Sequence, residues 1–151
     1  MLLHSLEDTE RLAKEVAQRI EAPDVIALEG IVGAGKTTFT KALAAALGVT
    51  EMVNSPTFTI LKQYEGDLPI QHFDVYRLKD QVEDLGWDDL FYNDAVSIVE
   101  WAHYIREVLP EHYLQLTFTY VDETTRRVTC QGVGERFEKM CEVIEDAMAR
   151  N

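Results

Sequence analysis

The most informative segment for the fold of this chain is Gly30-Ile31-Val32-Gly33-Ala34-Gly35-Lys36-Thr37. It fits the pattern G-x-x-x-x-G-K-[ST] at every fixed position, and a chance match in a chain of this size is roughly one in a few hundred. The glycines reach backbone angles closed to other residues and leave their N–H groups free to surround phosphate oxygens. Lys36 would place its charge on the β- and γ-phosphates, and the Thr37 hydroxyl would complete the coordination of Mg²⁺. The stretch therefore predicts a site for a nucleoside triphosphate with Mg²⁺.

The segments on either side of this stretch, called the glycine loop below (residues 30–37), have the order that such a site requires. Val25 to Leu28 is a short apolar run, typical of a buried parallel strand. Lys36 to Leu47 is rich in helix formers, and Gly48 ends it. A helix beginning at Lys36 would direct its positive dipole end at bound phosphate. A glycine-rich turn with a solvated lysine is the structural alternative, and this strand–loop–helix context argues against it.

Hydrophobic periodicity predicts the remaining elements. A helix from Ser5 to Ile20 begins the chain, with Ser5 as its N-cap. The further predicted strands are Phe58 to Tyr64, Ile70 to Tyr76, Ala95 to Val99, Tyr113 to Tyr120 and Arg127 to Gln131. The further predicted helices are a short one with a loop within residues 80–94, Ala102 to Leu109, and Gly132 to Ala149. The fold class is α/β: a P-loop NTPase-like mixed sheet with a parallel core and antiparallel additions, flanked by helices.

Length and charge narrow the class of protein. The 151 residues, without repeat or linker, predict a single P-loop domain over residues 1–151. The formal net charge is −13, from 14 basic and 27 acidic residues. Tight binding of nucleic acid by the chain alone is not expected, because neutralisation of phosphates by Lys and Arg supplies most of that affinity. The negative charge is more compatible with a basic partner protein than with nucleic acid.

The two cysteines and the apolar runs indicate a cytoplasmic protein. Cys130 and Cys141 match no zinc spacing and are too few for a disulfide framework, so two reduced thiols and no disulfide are expected. The N-terminus has no basic region followed by an apolar one, so no signal peptide is predicted. No apolar run approaches the roughly 18 residues of a membrane span.

Hydrolysis or switching would need an acid near the glycine loop, and two residues qualify. Asp74 ends the predicted strand that begins at Ile70, and Glu100 follows the strand that ends at Val99. Ligands of parallel sheets lie beyond the carboxyl ends of the strands, so both acids could face the γ-phosphate. Glu100 is favoured because its strand is the more apolar, but no spacing decides between them, and either could be a solvated strand-end acid.

Other residues near these acids permit two interpretations. Ser55-Pro56-Thr57 is either a loop that senses the γ-phosphate or a turn that enters a strand. Trp101 is either a core residue or a contact beside a catalytic acid. His72 lacks a metal-ligand spacing and is expected to be structural.

Four blocks of sequence, in this order and at this spacing, resemble the TsaE family (also called YjeE). The blocks are Gly33-Ala34-Gly35-Lys36-Thr37-Thr38, Ser55-Pro56-Thr57-Phe58, His72-Phe73-Asp74-Val75-Tyr76-Arg77 and Val99-Glu100-Trp101. The resemblance covers about residues 5 to 120, and the last three blocks are much more specific than the glycine loop. One departure is Ile31-Val32, where the family usually has a polar or acidic residue followed by Leu.

The resemblance implies a weak, partner-activated ATPase of tRNA modification. Members support formation of the N6-threonylcarbamoyl group on adenosine 37 of tRNAs that read codons starting with A, without transferring the group themselves. The implied partners are the TsaD and TsaB proteins, with tRNA only indirectly through the complex, and the implied cofactors are ATP or ADP and Mg²⁺.

The same resemblance assigns roles to individual residues. Nucleotide binding falls to Leu6, Thr9, Gly33, Ala34, Gly35, Lys36, Thr37, Thr38, Thr57 and Trp101. Leu6 and Thr9 would line the adenine side. The implied catalytic residues are Lys36, Asp74 and Glu100, and the implied metal ligands are Thr37, Asp74 and Glu100.

The sequence is also compatible with two functions other than a partner-activated ATPase. A small-molecule kinase of the P-loop class would need an acceptor pocket and an arginine-bearing lid, and the chain after Trp101 offers only Arg106 before a hairpin. A non-enzymatic nucleotide-dependent switch would order its loops around the γ-phosphate without turnover.

Overall fold

The computed structural model describes residues 1–31, 33–54, 60–82 and 84–150. Its helices are α1 (Leu6–Ala17), α2 (Lys36–Ala46), α3 (Trp87–Phe91) and α4 (Glu135–Ala149). Its strands are β1 (Leu2–Leu3), β2 (Val25–Glu29), β3 (Leu61–Glu65), β4 (Pro69–Asp74), β5 (Val96–Glu100), β6 (Tyr113–Tyr120) and β7 (Arg126–Val133). Two 3-10 helices cover Tyr76–Leu78 and Ala102–Val108.

The strands of the described residues form one mixed sheet in the order β1-β7-β6-β2-β5-β4-β3. Its centre is parallel: β2 pairs with both β5 and β6, and β4 pairs with β5. Both margins are antiparallel, with β3 on β4 at one side and β7 followed by β1 at the other. The predicted fold class, a parallel core with antiparallel additions, is confirmed.

Helices cover both faces of the sheet, which explains why β2 and β5 are apolar throughout. Because side chains alternate along a strand, Ile26 and Leu28 of β2 face one core, while Val25 and Ala27 face the other. The first core also contains apolar residues of α1, α2 and α4. The second contains residues of α3 and both 3-10 helices.

The ends of β4 and β5 differ from the prediction in a way that matters for the site. The predicted strand from Ile70 to Tyr76 ends at Asp74, and a 3-10 helix follows. The strand predicted to stop at Val99 includes Glu100. Both acids are therefore the last residues of strands, and sheet hydrogen bonds fix their backbone.

Two arginines connect α4 to the rest of the fold. The sequence of this helix contains no recognised motif. Arg136 binds both carboxylate oxygens of Asp24, immediately before β2, at 2.6 and 2.8 Å. Arg11 of α1 donates to the carbonyls of Ala147 and Arg150 at 2.9 and 2.6 Å. These carbonyls lie at the C-terminal end of α4, where a cation is favourable.

The structure places Cys130 and Cys141 at disulfide distance, with their Cα atoms 5.7 Å apart, in contrast to the expectation of two reduced thiols and no disulfide. Cys130 lies on β7 and Cys141 on α4. The chain reverses direction between them, at Gly132 and Gly134, so that α4 packs against β7. A spacing of 11 residues does not reveal such a reversal, so the pair could not be recognised from the sequence.

Among the residues described, no helix combines the length and apolar character needed to cross a bilayer.

Candidate functional site

The two candidate acids lie side by side at the carboxyl ends of neighbouring strands. Asp74 of β4 pairs in register with Glu100 of β5, and Glu100 also pairs with Leu28 of β2. The glycine loop begins immediately after β2. The parallel register thus brings both acids to the edge of the sheet where the loop starts.

The glycine loop has backbone angles that favour glycine, among them at Gly30 and Gly35. Gly30 has φ +138°, and a Cβ on it would lie 2.5 Å from the carbonyl oxygen of Phe118 on β6. Gly35, the N-cap of α2, has φ +113°. Side chains at either position would be strained by the backbone angle, and at Gly30 also by a clash.

Lys36 opens α2 and turns its side chain into the site. The residue is 5% exposed, and within the described residues its Nζ has no hydrogen-bond partner. Nζ lies 3.5 Å from the centroid of the Trp101 ring. Burial lowers the pKa of Lys36, although Glu100, Asp74 and Glu29 oppose this by attraction. A buried ammonium without hydrogen bonds is costly, and an anion in the cavity would offset that cost.

Glu100 is buried and held by a histidine. It is 3% exposed, and its Oε2 lies 2.6 Å from Nε2 of His72, which is 1% exposed. Since an ionised carboxylate only accepts hydrogen bonds, Nε2 of His72 is the donor. The assignment of His72 as structural did not anticipate this contact, because the two residues are 28 positions apart.

Asp74 is partly buried beside this pair. Burial raises its pKa, a hydrogen bond from the backbone N–H of Tyr76 opposes the rise, and the charge of Glu100 adds to it. The Tyr76 N–H donates to Oδ1 of Asp74 at 3.1 Å. The two carboxylates repel each other, Lys36 partly offsets this repulsion at Asp74, and a further positive charge would reduce it more.

A cavity of about 620 Å³ joins these groups. Its floor contains Gly33, Gly35, Lys36, Thr37, Thr38, Asp74, Glu100 and Trp101. One wall comes from the start of the chain and consists of Leu3, His4, Ser5, Leu6 and Thr9. Residues of the turn into β7 complete the lining: Glu123, Thr124 and Arg126. The volume is in the usual range for small-molecule sites.

The structure brings most of the predicted site residues to this cavity. Leu6 and Thr9, which only the resemblance assigned to nucleotide binding, also line it. Ala34 does not: its methyl group is buried in the core, and its N–H donates to the carbonyl of Ile31 at 3.0 Å. Thr57 and the rest of its predicted sensing loop lie outside the described residues.

Arg126 is a cavity residue that sequence reasoning missed. Its Nε is buried without a hydrogen-bond partner in the described part of the chain. Its stem lies against Gly35, since a Cβ there would be 3.6 Å from Arg126 Cγ, and its guanidinium lies 4.7 Å from the Tyr120 ring. The sequence shows only a pair of arginines in a turn, without a signal that one of them faces the glycine loop.

The donor set fits Mg²⁺ that arrives with a nucleotide. Thr37, Asp74 and Glu100 supply hydroxyl and carboxylate oxygens, the hard ligands that Mg²⁺ takes. In the described ranges, no group of three or more His, Cys, Asp or Glu side chains could hold a metal by itself. Mg²⁺ is commonly held by one or two carboxylates together with substrate phosphates, so a complete protein cage is not required.

Similar proteins and one solved structure match most of the chain. A protein of Bacillus subtilis (strain 168) named tRNA threonylcarbamoyladenosine biosynthesis protein TsaE is 50% identical over 137 residues, covering 90% of this chain and 87% of that protein. Its namesake in Treponema pallidum (strain Nichols) is 36% identical over 127 residues, covering 83% and 94%. The crystal structure of Bacillus subtilis YdiB has a TM-score of 0.82 and 41% identity, covering 97% of this chain and 93% of the other.

A family model agrees with these matches. The model described as "Threonylcarbamoyl adenosine biosynthesis protein TsaE" matches residues 3–128, from β1 into β7. The resemblance carried by four short blocks is therefore confirmed, and it extends over nearly the whole sheet. This chain belongs to the TsaE family of tRNA threonylcarbamoyladenosine biosynthesis.

Proposed function

We propose that this chain binds and hydrolyses ATP with Mg²⁺ in the cavity beside the glycine loop, as the ATPase of a threonylcarbamoyladenosine-forming complex. The observation that carries the proposal is the buried ammonium of Lys36, which has no hydrogen-bond partner among the described residues. It faces a cavity that also contains the helix N-terminus, Thr37 and two carboxylates. A triphosphate with Mg²⁺ would supply hydrogen-bond acceptors to the Lys36 ammonium and a divalent cation to Asp74 and Glu100.

The residues have distinct roles in the proposed reaction. Mg²⁺, when bound, neutralises charge on the phosphates and orders them for in-line attack by water. Lys36 would hold the β- and γ-phosphates, and Thr37 and one of the acids would hold the metal. The other acid would orient the attacking water. Catalysis would thus consist of positioning and electrostatic stabilisation.

We further propose that the physiological partners are the TsaD and TsaB proteins, and that this chain contacts tRNA only through them. The family and the names of the relatives support a place in that modification. The proposed location is the cytoplasm. The net charge of −13 supports indirect rather than direct contact with tRNA. In this role the chain would not transfer the threonylcarbamoyl group.

The experiment is ATP hydrolysis by the purified chain, alone and with TsaB and TsaD added. We expect slow turnover alone and a large stimulation by the partners, lost in Lys36→Ala. A small acceptor phosphorylated well above the ATPase background would favour the kinase alternative. Tight ATP binding without turnover in either condition would favour the non-enzymatic switch.

A further inference from the structure

His72 lies beneath the candidate metal site, on the same face of β4 as Asp74. Neighbours in a parallel sheet share a face, and His72 pairs with Ile98 while Asp74 pairs with Glu100. His72 is therefore diagonal to Glu100, one step deeper in the sheet. From there its Nε2 reaches Oε2 of Glu100 at 2.6 Å.

This contact constrains an otherwise free carboxylate. The terminal torsion of a glutamate is broad and roughly two-fold, so the backbone of β5 does not fix where its oxygens point. The hydrogen bond from His72 occupies Oε2, and both side chains are buried, with exposures of 1% and 4%. Glu100 lines the cavity. Because His72 bonds Oε2, Oε1 is the oxygen that remains available to a ligand there.

The remaining ring nitrogen argues against a purely stabilising role. Nδ1 of His72 is buried and has no hydrogen-bond partner in residues 1–31, 33–54, 60–82 and 84–150. Buried polar atoms are nearly always paired, so an exception needs an explanation. An apolar side chain at this position would avoid the unpaired atom but would leave Glu100 without its donor.

We infer that His72 is a positioning residue, which orients the Glu100 carboxylate toward the Mg²⁺ of the bound nucleotide. This inference rests on the proposed function, since it presupposes that a Mg²⁺–nucleotide occupies the cavity. Groups that hydrogen-bond metal-ligating carboxylates typically contribute about 10- to 100-fold to metal affinity. His72 would make its contribution without touching nucleotide or metal.

The test compares substitutions of similar size that keep or lose the donor at the Nε2 position. His72→Gln places an amide N–H near the position of Nε2, and His72→Met has the same reach without a donor. His72→Asn places its amide near Nδ1, too short to reach Glu100, and keeps the site polar if Met disturbs folding. Binding of a fluorescent ATP analogue is measured in EDTA and at increasing Mg²⁺ concentration.

The expected result separates metal affinity from nucleotide affinity. His72→Met and His72→Asn should require about 10-fold or more Mg²⁺ for half-maximal enhancement of analogue binding. Their affinity for the analogue in EDTA should stay within about threefold of the wild type, because the phosphate contacts remain. His72→Gln should restore the Mg²⁺ requirement to within about threefold. In Glu100→Gln, adding His72→Asn should change the Mg²⁺ requirement no further.

Gln71 supplies the matched control. It is the preceding residue of β4, equally buried, but it faces the other way and donates to Ser97 Oγ and the Leu90 carbonyl at 2.9 and 2.7 Å. Gln71→Met should lower the thermal unfolding midpoint without changing the Mg²⁺ requirement. A role of His72 in stability alone would make His72→Asn behave in the same way.

Two results would overturn the inference while leaving the proposed function intact. If His72→Asn lowers the unfolding midpoint but leaves the Mg²⁺ requirement at the wild-type value, His72 is structural. If His72→Gln is as impaired as His72→Asn, the Nε2 donor is not what matters. A wild-type chain whose analogue binding does not respond to Mg²⁺ would instead overturn the proposed function, and this inference with it.

Discussion

The ammonium of Lys36 lies 3.5 Å from the centroid of the Trp101 ring, so an aromatic face covers the charge that the glycine loop presents to the cavity. Trp101 has φ +64°, in the left-handed region that residues other than glycine rarely adopt, and its backbone N–H donates to the Leu28 carbonyl at 3.1 Å. Tyr104 stacks on the same indole with an interplanar angle of 18°. A strained backbone at such a contact often accompanies function.

If the cavity binds ATP as proposed, this contact should make Trp101 a reporter of that binding. Phosphates that draw the ammonium away from the indole would change its emission. We expect ATP with Mg²⁺ to change the fluorescence of the wild type, whose other tryptophan, Trp87, lies in the second core. The change should persist in Trp87→Phe and disappear in Trp101→Phe. A fluorescence change that is lost in Trp87→Phe and kept in Trp101→Phe would contradict this prediction.

Lys36→Met should separate stability from binding. Burial lowers the pKa of Lys36 despite the nearby carboxylates, so at neutral pH its charge destabilises the nucleotide-free protein. We expect the variant to unfold at the same temperature as the wild type or higher, while calorimetry shows ATP affinity reduced by about 10- to 100-fold. A variant that unfolds well below the wild type would show that the lysine mainly stabilises the fold.

Glu100→Gln should reduce hydrolysis far more than binding. The amide oxygen can still accept from His72, but it no longer brings a negative charge to the metal or the water. Partner-stimulated turnover should fall by about 100-fold or more, with ATP affinity in EDTA within about threefold.

Glu29→Gln is the matched control for that substitution. Glu29 also ends a central strand, but it lies outside the cavity lining, and its carboxylate accepts from the backbone N–H of His103 at 3.0 Å. Its turnover should fall less than about threefold. If turnover falls equally in both variants, the effect of Glu100 comes from negative charge near Lys36 in general. It would then not come from contact of Glu100 with the metal or the attacking water.

Asp74 should make the nucleotide-free protein less stable as pH rises. Burial raises the folded-state pKa of Asp74 above its unfolded value of about 4. Between these two values the folded state binds more protons than the unfolded chain, so the free energy of unfolding decreases with increasing pH. Asp74→Asn removes this contribution. Urea unfolding should give a difference, variant minus wild type, that grows with pH above about 4 and then levels off. A difference independent of pH would refute the assignment.

Arg126 should contribute to nucleotide affinity, although its place at the cavity was not expected. Arg126→Ala should weaken ATP binding by about 10-fold, as for loss of one charge-assisted hydrogen bond. Arg127→Ala is the control, because Arg127 is the next residue of β7, is exposed and is absent from the cavity lining. It should bind within about twofold of the wild type in calorimetry. Equal weakening would point to net charge rather than contact.

Local patterns predicted much of the fold. The tight turn of the glycine loop follows from Gly30 and Gly35, and α2 begins at Lys36 as expected. The N-cap at Ser5 forms, with its Oγ accepting from the Asp8 N–H at 3.2 Å. Such features depend on residues within one or two turns of each other, and a sequence displays them directly.

Strand order lies beyond such patterns. Asp74 and Glu100 were both candidates, yet only the pairing of β4 with β5 makes them neighbours. The same pairing brings His72 to Glu100, and the β6–β7 hairpin brings Arg126 to the glycine loop. The cysteine pair likewise requires α4 to fold back on β7.

The strand–loop–helix unit, the family and the two acids can thus be predicted from the order of residues. Three features appear only in the folded chain: a histidine holds one acid, an arginine lines the cavity and Ala34 points into the core. Helical periods, turns and caps arise from local sterics and hydrogen bonds, so short stretches of sequence display them. The neighbours of a strand are selected by burial of the whole sheet between two layers of helices.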